Sequence, residues 1–234
     1  RTAPRLVGDY RFEISPRQVP ERNIQLDDLI QKLGSDDKWR TELESPVRAL
    51  LRAPKGRSDR QLSDFQQRGA QSVLRGLANN RSTATGVCAG TGSGKTLAFY
   101  LPALAEIATL IDKNAWVKAV ALYPRNELLK DQLRTALQEC ERLAPVTDRK
   151  ILVGAFFGPT PQRATINLVE SAKWDRVGQG YQCPFLTCLD DECNGALIWL
   201  TEDLKQRSER LVCERCTQTV ESNQIALTRE RMRR

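Results

Sequence analysis

Histidine is absent from the chain. That removes imidazole as a catalytic base or metal ligand, so a zinc site would have to rest on thiolates. Long apolar runs are missing as well. The longest, Leu97 to Ile111, is broken by Pro102 and Glu106 and is too short to span a bilayer, so no membrane partner is expected. No secretory leader stands at the start, and Arg1 rather than Met opens the sequence, which therefore reads as a cytoplasmic piece cut from a longer polypeptide. No internal repeat is evident.

What is present is a chain of 234 residues, 40% hydrophobic and 28% charged, as in a soluble globular protein. That length accommodates one large α/β domain and a small appendage. Thirty-six Lys and Arg against 29 Asp and Glu give a net charge of +7, which leans toward polyanionic partners, although most charge runs are solvated faces.

Residues 1–60 form an N-terminal extension with a texture of their own. Pro4, Pro16 and Pro20 punctuate it, Leu26 to Leu33 and Lys38 to Leu51 have amphipathic helical spacing, and Pro54 to Asp59 reads as a linker. From Leu62 the pattern alternates helices and strands. A helix is expected over Phe65 to Leu77, then a short strand through Val87-Cys88-Ala89. A helix over Leu97 to Ile111 precedes a strand over Trp116 to Tyr123, a helix over Asn126 to Leu143, and a strand over Lys150 to Phe157. Alternation of this kind implies an α/β fold with a parallel sheet and helices on both faces, whose ligands lie at the carboxyl ends of the strands.

At the end of the first of those strands stands Ala89-Gly90-Thr91-Gly92-Ser93-Gly94-Lys95-Thr96. Closely spaced glycines let a backbone wrap a phosphate chain with its N–H groups inward. Lys95 adds positive charge for the β- and γ-phosphates, and the Thr96 hydroxyl is placed to ligate Mg²⁺. The helix leaving the loop aims its positive end at the same anion. The chain is therefore expected to bind a nucleoside triphosphate with Mg²⁺ through Gly90, Thr91, Gly92, Ser93, Gly94, Lys95 and Thr96, with Lys95 and Thr96 as the catalytic pair. Ala89 stands where the strict pattern has glycine.

Seven cysteines are present. Cys88 and Cys140 are isolated and read as small buried residues. The other five cluster between 183 and 216, where Cys188-x4-Cys193 and Cys213-x2-Cys216 form two paired-thiolate turns. Four thiolates from two tight turns satisfy tetrahedral Zn²⁺, which gives a structural zinc with Cys183 as an alternative to Cys188. Metal binding would supply about 10–16 kcal/mol of folding free energy to a module this small.

Three elements now stand in order: Phe65-Gln66-Gln67, the phosphate loop, and Tyr123-Pro124-Arg125-Asn126-Glu127-Leu128 with Asp131-Gln132. This order resembles the first RecA-like domain of superfamily-two helicases, the DEAD/DEAH-box group, over residues 62 to 160. The resemblance implies an ATP-dependent motor. Gln66, or Gln67 one position on, would read adenine, and the loop is motif I. Pro124, Arg125 and Asn126 belong to motif Ia, which grips a phosphate of a single strand, and a second RecA-like domain would lie further along the same polypeptide. Cys193-Asn-Gly-Ala-Leu-Ile-Trp resembles zinc-ribbon wording, inserted over 183–216, with 217–234 returning to the RecA-like domain. Asp190-Asp191-Glu192 would then be part of the zinc turn rather than motif II, which places motif II beyond Arg234 and leaves the fragment unable to hydrolyse ATP efficiently alone. A weaker resemblance is to large bacterial helicases of phage-defence or DNA-modification clusters, and it favours DNA over RNA. A nucleotide-gated binding module without translocation, or a small-molecule phosphotransferase, remain the alternative readings.

Overall fold

A computed structural model describes residues 20–53, 58–79, 82–90, 92–111 and 116–233. Helix α1 (Leu26–Gly34) buries Leu26, Leu29 and Leu33, one stripe at helical spacing. A 3₁₀ turn (Thr41–Leu43) leads into α2 (Glu44–Leu51), which buries Val47, Leu50 and Leu51. An antiparallel bridge between Ile24 and Leu62 closes this N-terminal segment back onto the start of α3 (Asp64–Ala78). Helices α4 (Lys95–Thr109) and α5 (Asn126–Leu143) follow. Leu29, Leu33, Val47, Leu50 and Leu62 share one apolar core with Leu74 of α3, Leu101 and Leu104 of α4, and Cys140 and Leu143 of α5.

The remainder is built from short strands: β1 (Val153–Gly154), then helix α6 (Ile166–Ser171), β2 (Arg176–Val177), β3 (Gly180–Thr187) and β4 (Ala196–Leu200). Helix α7 (Thr201–Lys205), β5 (Leu211–Cys213), β6 (Thr219–Val220), β7 (Ile225–Ala226) and α8 (Arg229–Met232) complete it. Strands β2 to β6 make an antiparallel meander in chain order, while β7 crosses back to lie parallel to β1, with Val153 opposite Ile225. The segment after the cysteines therefore pairs with a strand that precedes the meander.

A second core holds the meander against α5. Trp174 lies edge-on to Phe185 at 5.5 Å between centroids and tilted on Trp199 at the same separation. Leu133 and Leu137 of α5 enter this cluster, one turn before Cys140 and Leu143 enter the other. Spacing of 133, 137 and 140 thus lets a single helix seal two cores.

Four expectations change. Residues 116–123 join no ladder, and neither do 87–89; Val120 is 75% and Leu122 88% exposed. An apolar strand of a parallel sheet requires neighbours on both edges, and among the described residues the parallel pairing is confined to β1 and β7. The strand expected over 150–157 shortens to β1 for the same reason. Cys88, expected to be buried, is exposed because its segment carries no sheet over it. Pro54 to Arg57 of the expected linker, Thr91 of the phosphate loop and Arg234 lie outside the described residues.

Candidate nucleotide site and cysteine cluster

The loop before α4 turns through left-handed backbone at Gly92 (φ 78°) and Gly94 (φ 86°), conformations that glycine adopts without Cβ strain. Gly94 is also crowded. A Cβ there would meet Gln66 Nε2 at 2.6 Å and Arg22 Nη2 at 2.8 Å. Ser93 is buried and its hydroxyl donates to the Gly90 carbonyl at 2.7 Å, which tightens the turn. Lys95 opens α4 and reaches back across the loop, donating to the carbonyls of Ala89 and Gly90 at 2.8 Å each. The ammonium therefore sits inside the curl of backbone where a phosphate chain would be wrapped.

Gln66 is 1% exposed and uses both ends of its amide. Its Oε1 accepts from the Ser63 N–H at 2.9 Å, part of the cap of α3, and its Nε2 donates to the Gly94 carbonyl at 2.8 Å. Helix α3 is thereby tied to the phosphate loop by one side chain. Gln67 faces elsewhere, accepting from Lys32 Nζ at 3.2 Å. Of the two glutamines, only Gln66 borders the loop.

A cleft of about 520 Å³ opens beside Gln66, Gly94 and Thr96, and Arg22, Arg60 and Tyr100 also line it. Glu139 of α5 forms its far wall; it is 5% exposed and receives Arg60 Nη1 at 2.7 and 2.9 Å on its two oxygens. Removing Arg60 would leave a carboxylate buried with its neighbour Arg142 at 3.6 Å as the remaining ion-pair partner. Sequence reasoning missed Arg22, Arg60 and Glu139, because the Ile24–Leu62 bridge that brings the extension to the loop has no local signature. Burial, then the Tyr123 hydroxyl beside it, raises the Tyr100 phenol well above its ordinary range.

Pro124, Arg125 and Asn126 are exposed, and Arg125 caps α5 in extended conformation (φ −135°). The first N–H groups of this helix therefore open toward solvent beside a guanidinium, an arrangement suited to a phosphate oxygen.

The cysteines sort into four and one. The sulfurs of Cys188, Cys193, Cys213 and Cys216 all lie within 4.8 Å of one another, while Cys183 is buried in the aromatic core on β3. Sγ separations are 3.5 Å for Cys188–Cys216 and 3.6 Å for Cys193–Cys213. Four sulfurs at 2.3 Å from a tetrahedral Zn²⁺ stand about 3.8 Å apart, whereas a disulfide requires about 2.05 Å. The donor set fits zinc and does not fit disulfides. Both turns use the same backbone device: the residue after each second cysteine is left-handed, Asn194 at φ 48° and Thr217 at φ 60°. Burial pushes the Cys188 thiol up to about 12. Burial also opposes ionisation of Cys213, but the N–H groups of Cys216 and Arg215 outweigh it and, with the neighbouring thiols, hold Cys213 at about 7. Thiols this close resist accumulating negative charge until a cation shares it.

Asp190, Asp191 and Glu192 form the turn between Cys188 and Cys193. Asp190 Oδ1 accepts from the Glu192 N–H at 2.9 Å, and Asp191 Oδ1 is held by Arg134 at 3.1 Å and Gln138 at 2.9 Å. These two aspartates are engaged in shaping the cysteine turn and docking it on α5.

Comparison with known proteins agrees with this geometry. Residues 63–174 match the family model for the DEAD/DEAH box helicase. A curated protein of Candida albicans, ATP-dependent RNA helicase CHR1, is 32% identical over 102 residues, which is 42% of this chain and 16% of that protein. The chain thus corresponds to about a sixth of that relative's length. No solved structure matches the chain. No helix among the described residues is long and apolar enough to cross a membrane. Over residues 63–174, the segment that runs from the cap of α3 through the Gly-rich loop and α5, the chain is thus similar to the DEAD/DEAH box helicases.

Proposed function

We propose that this chain is the ATP-binding, first RecA-like domain of a nucleic-acid-dependent motor, carrying an inserted zinc ribbon over 183–216 and returning to the RecA-like part over 217–234. The observation that carries the reading is the joint placement of Lys95, the left-handed Gly92 and Gly94, and Gln66 around one loop at the head of α4. Bound ATP would bring the phosphates and Mg²⁺. Gly90 to Gly94 would hold the phosphate chain with backbone N–H groups, Lys95 would neutralise the β/γ charge, and the Thr96 hydroxyl would ligate Mg²⁺. Gln66 joins adenine-side recognition to the loop, since its Nε2 already contacts Gly94.

Arg125 and the first turn of α5 would hold the backbone of a single strand, a contact that RNA and DNA share. The name of the Candida relative favours RNA; the weaker resemblance to bacterial helicases of phage-defence or DNA-modification clusters favours DNA. A second RecA-like domain and the acidic motif II would be supplied elsewhere in a longer cytoplasmic polypeptide, and closure of the two domains on ATP would move the strand. Zinc held by Cys188, Cys193, Cys213 and Cys216 is structural: with no histidine in the chain and four sulfurs in place, no open coordination position remains for chemistry.

The test is ATP hydrolysis by the full-length polypeptide, alone and with single-stranded RNA or DNA, beside Lys95→Ala. Turnover that rises with one polymer and vanishes in the variant supports the motor and names the polymer. Tight ATP binding with no stimulated turnover supports instead a nucleotide-gated binding module that works through the ribbon.

A further inference from the structure

Helix α5 touches everything that matters in this chain. Its first turn presents Arg125 and Asn126, its Thr135 and Glu139 line the nucleotide cleft, and Leu133 and Leu137 enter the core of the meander. A fourth relationship is less ordinary. Arg134 and Gln138, one turn apart on the same face, are both spent on the backbone of the first cysteine turn. Arg134 Nε donates to the Cys188 carbonyl at 2.9 Å, and its Nη2 to the Asp190 carbonyl at 3.2 Å and to Asp191 Oδ1 at 3.1 Å. Gln138 Nε2 donates to the Leu189 carbonyl at 2.7 Å and to Asp191 Oδ1 at 2.9 Å.

Three successive carbonyls, of residues 188, 189 and 190, point at one helix face only while the turn keeps its shape. The turn has little of its own to keep it. Asp190 to Cys193 contribute no fully buried side chain, and Cys188 and Cys193 at its ends are two of the four clustered sulfurs. Metal binding to such a turn is folding of the turn. Arg134 is only 23% exposed at its side chain, so its donors lose water when they dock and depend on those carbonyls in return.

We infer that Arg134 and Gln138 are positioning residues that couple the cysteine turn to α5, so that metal at the four cysteines fixes the helix whose first turn grips the nucleic-acid strand. The inference rests on the zinc and strand-binding readings above and adds a connection between them. The groups that hold the nucleotide, the loop and Gln66, lie on α3 and α4, while α5 only walls the cleft through Thr135 and Glu139, so ADP affinity reports chiefly on the loop.

Three preparations of the 234-residue chain test it: zinc-loaded, chelator-stripped, and Arg134→Ala/Gln138→Ala with its zinc content measured by a colorimetric release assay. Hydrogen exchange of the amides of 126–143 and binding of a fluorescent single-stranded oligonucleotide are read on each, together with ADP affinity. Stripping is expected to accelerate exchange in α5 and to weaken oligonucleotide binding about fivefold or more. The double variant should reproduce both effects while retaining one zinc per chain and an ADP affinity unchanged within about twofold; general unfolding would move all three. Gln138→Glu, which replaces the donor to the Leu189 carbonyl and Asp191 by a carboxylate, should show the same pattern should the double variant not fold. One zinc per chain with exchange and oligonucleotide affinity indifferent to its removal would overturn the inference and leave the zinc reading standing. A chain that takes up no zinc would overturn both.

Discussion

The hydroxyl of Tyr100 lies 2.8 Å from the hydroxyl of Tyr123 and donates to the carbonyl of Gln132 at 3.2 Å. One phenol thereby joins the helix leaving the phosphate loop to the segment that enters α5 and to α5 itself. Because the Tyr100 proton goes to Gln132, Tyr123 is left to donate to Tyr100, and the chain of bonds has a direction. Tyr100→Phe keeps the ring, which is 9% exposed, and deletes both bonds. A loss of about 1 kcal/mol is expected, read as a lower urea midpoint at unchanged slope. A stability equal to the parent's would show that water replaces the missing hydroxyl at no cost.

Gln66 should separate its two tasks by chemistry. Gln66→Glu retains an oxygen for the Ser63 N–H, so the start of α3 stays capped. It removes the donor to the Gly94 carbonyl and sets a carboxylate against that oxygen, close to where phosphate charge would collect. Nucleotide affinity is expected to fall by about tenfold or more while the thermal midpoint moves by only a few degrees. Calorimetric titration of ADP and a melting curve on the same sample check this. An unchanged ADP affinity would remove Gln66 from the nucleotide site.

Helices were the most legible part of the sequence, because an apolar stripe at 3.6-residue spacing and a cap are local facts. The expected 126–143 coincides with α5, and the four-sulfur grouping follows from the two paired turns. Strands were less legible. Trp116 to Tyr123 has the composition of a buried strand, yet a ladder needs partners, and no pattern within eight residues says whether they are present. What escaped entirely was long-range geometry. Arg22 reaches Gly94 because Ile24 pairs with Leu62, and Arg134 reaches Cys188 across 54 residues of chain. Arg134 and Gln138 stand one turn apart on α5, as polar residues do on any solvated helix face, and nothing in the sequence names their partner.

Cys140 predicts a pH dependence. Burial, and then the adjacent carboxylates of Glu139 and Glu141, push its thiol up to about 12. An unfolded-chain thiol titrates near 8.5, so the folded state binds the proton more tightly. The sign follows: this contribution is fully present below about pH 8.5 and is lost as pH rises toward 12, at up to about 1.4 kcal/mol per pH unit. Cys140→Ala costs stability at pH 7 through the lost packing, but its decline from pH 8.5 to 10.5 should be shallower than the parent's. Urea midpoints at four or five pH values measure the two slopes. Parallel slopes would mean that Cys140 ionises in the folded state.

Cys183 and Cys213 offer the sharpest contrast in the metal site, since both are buried cysteines on neighbouring parts of one meander. Cys213 Sγ lies 3.6 Å from Cys193 Sγ, and it packs so closely on Gly195 that a Cβ there would fall 2.7 Å from it. Cys183 stands among the aromatic side chains of the core, outside the group of four sulfurs, and burial pushes its thiol up to about 12. Cys213→Ser is therefore expected to abolish stoichiometric zinc and to lower the melting temperature by as much as chelation lowers the parent's. Cys183→Ser places a hydroxyl in an apolar site and should cost about 1–3 kcal/mol while one zinc per chain remains. Zinc lost from Cys183→Ser and retained by Cys213→Ser would reverse the assignment and return Cys183 to the ligand set.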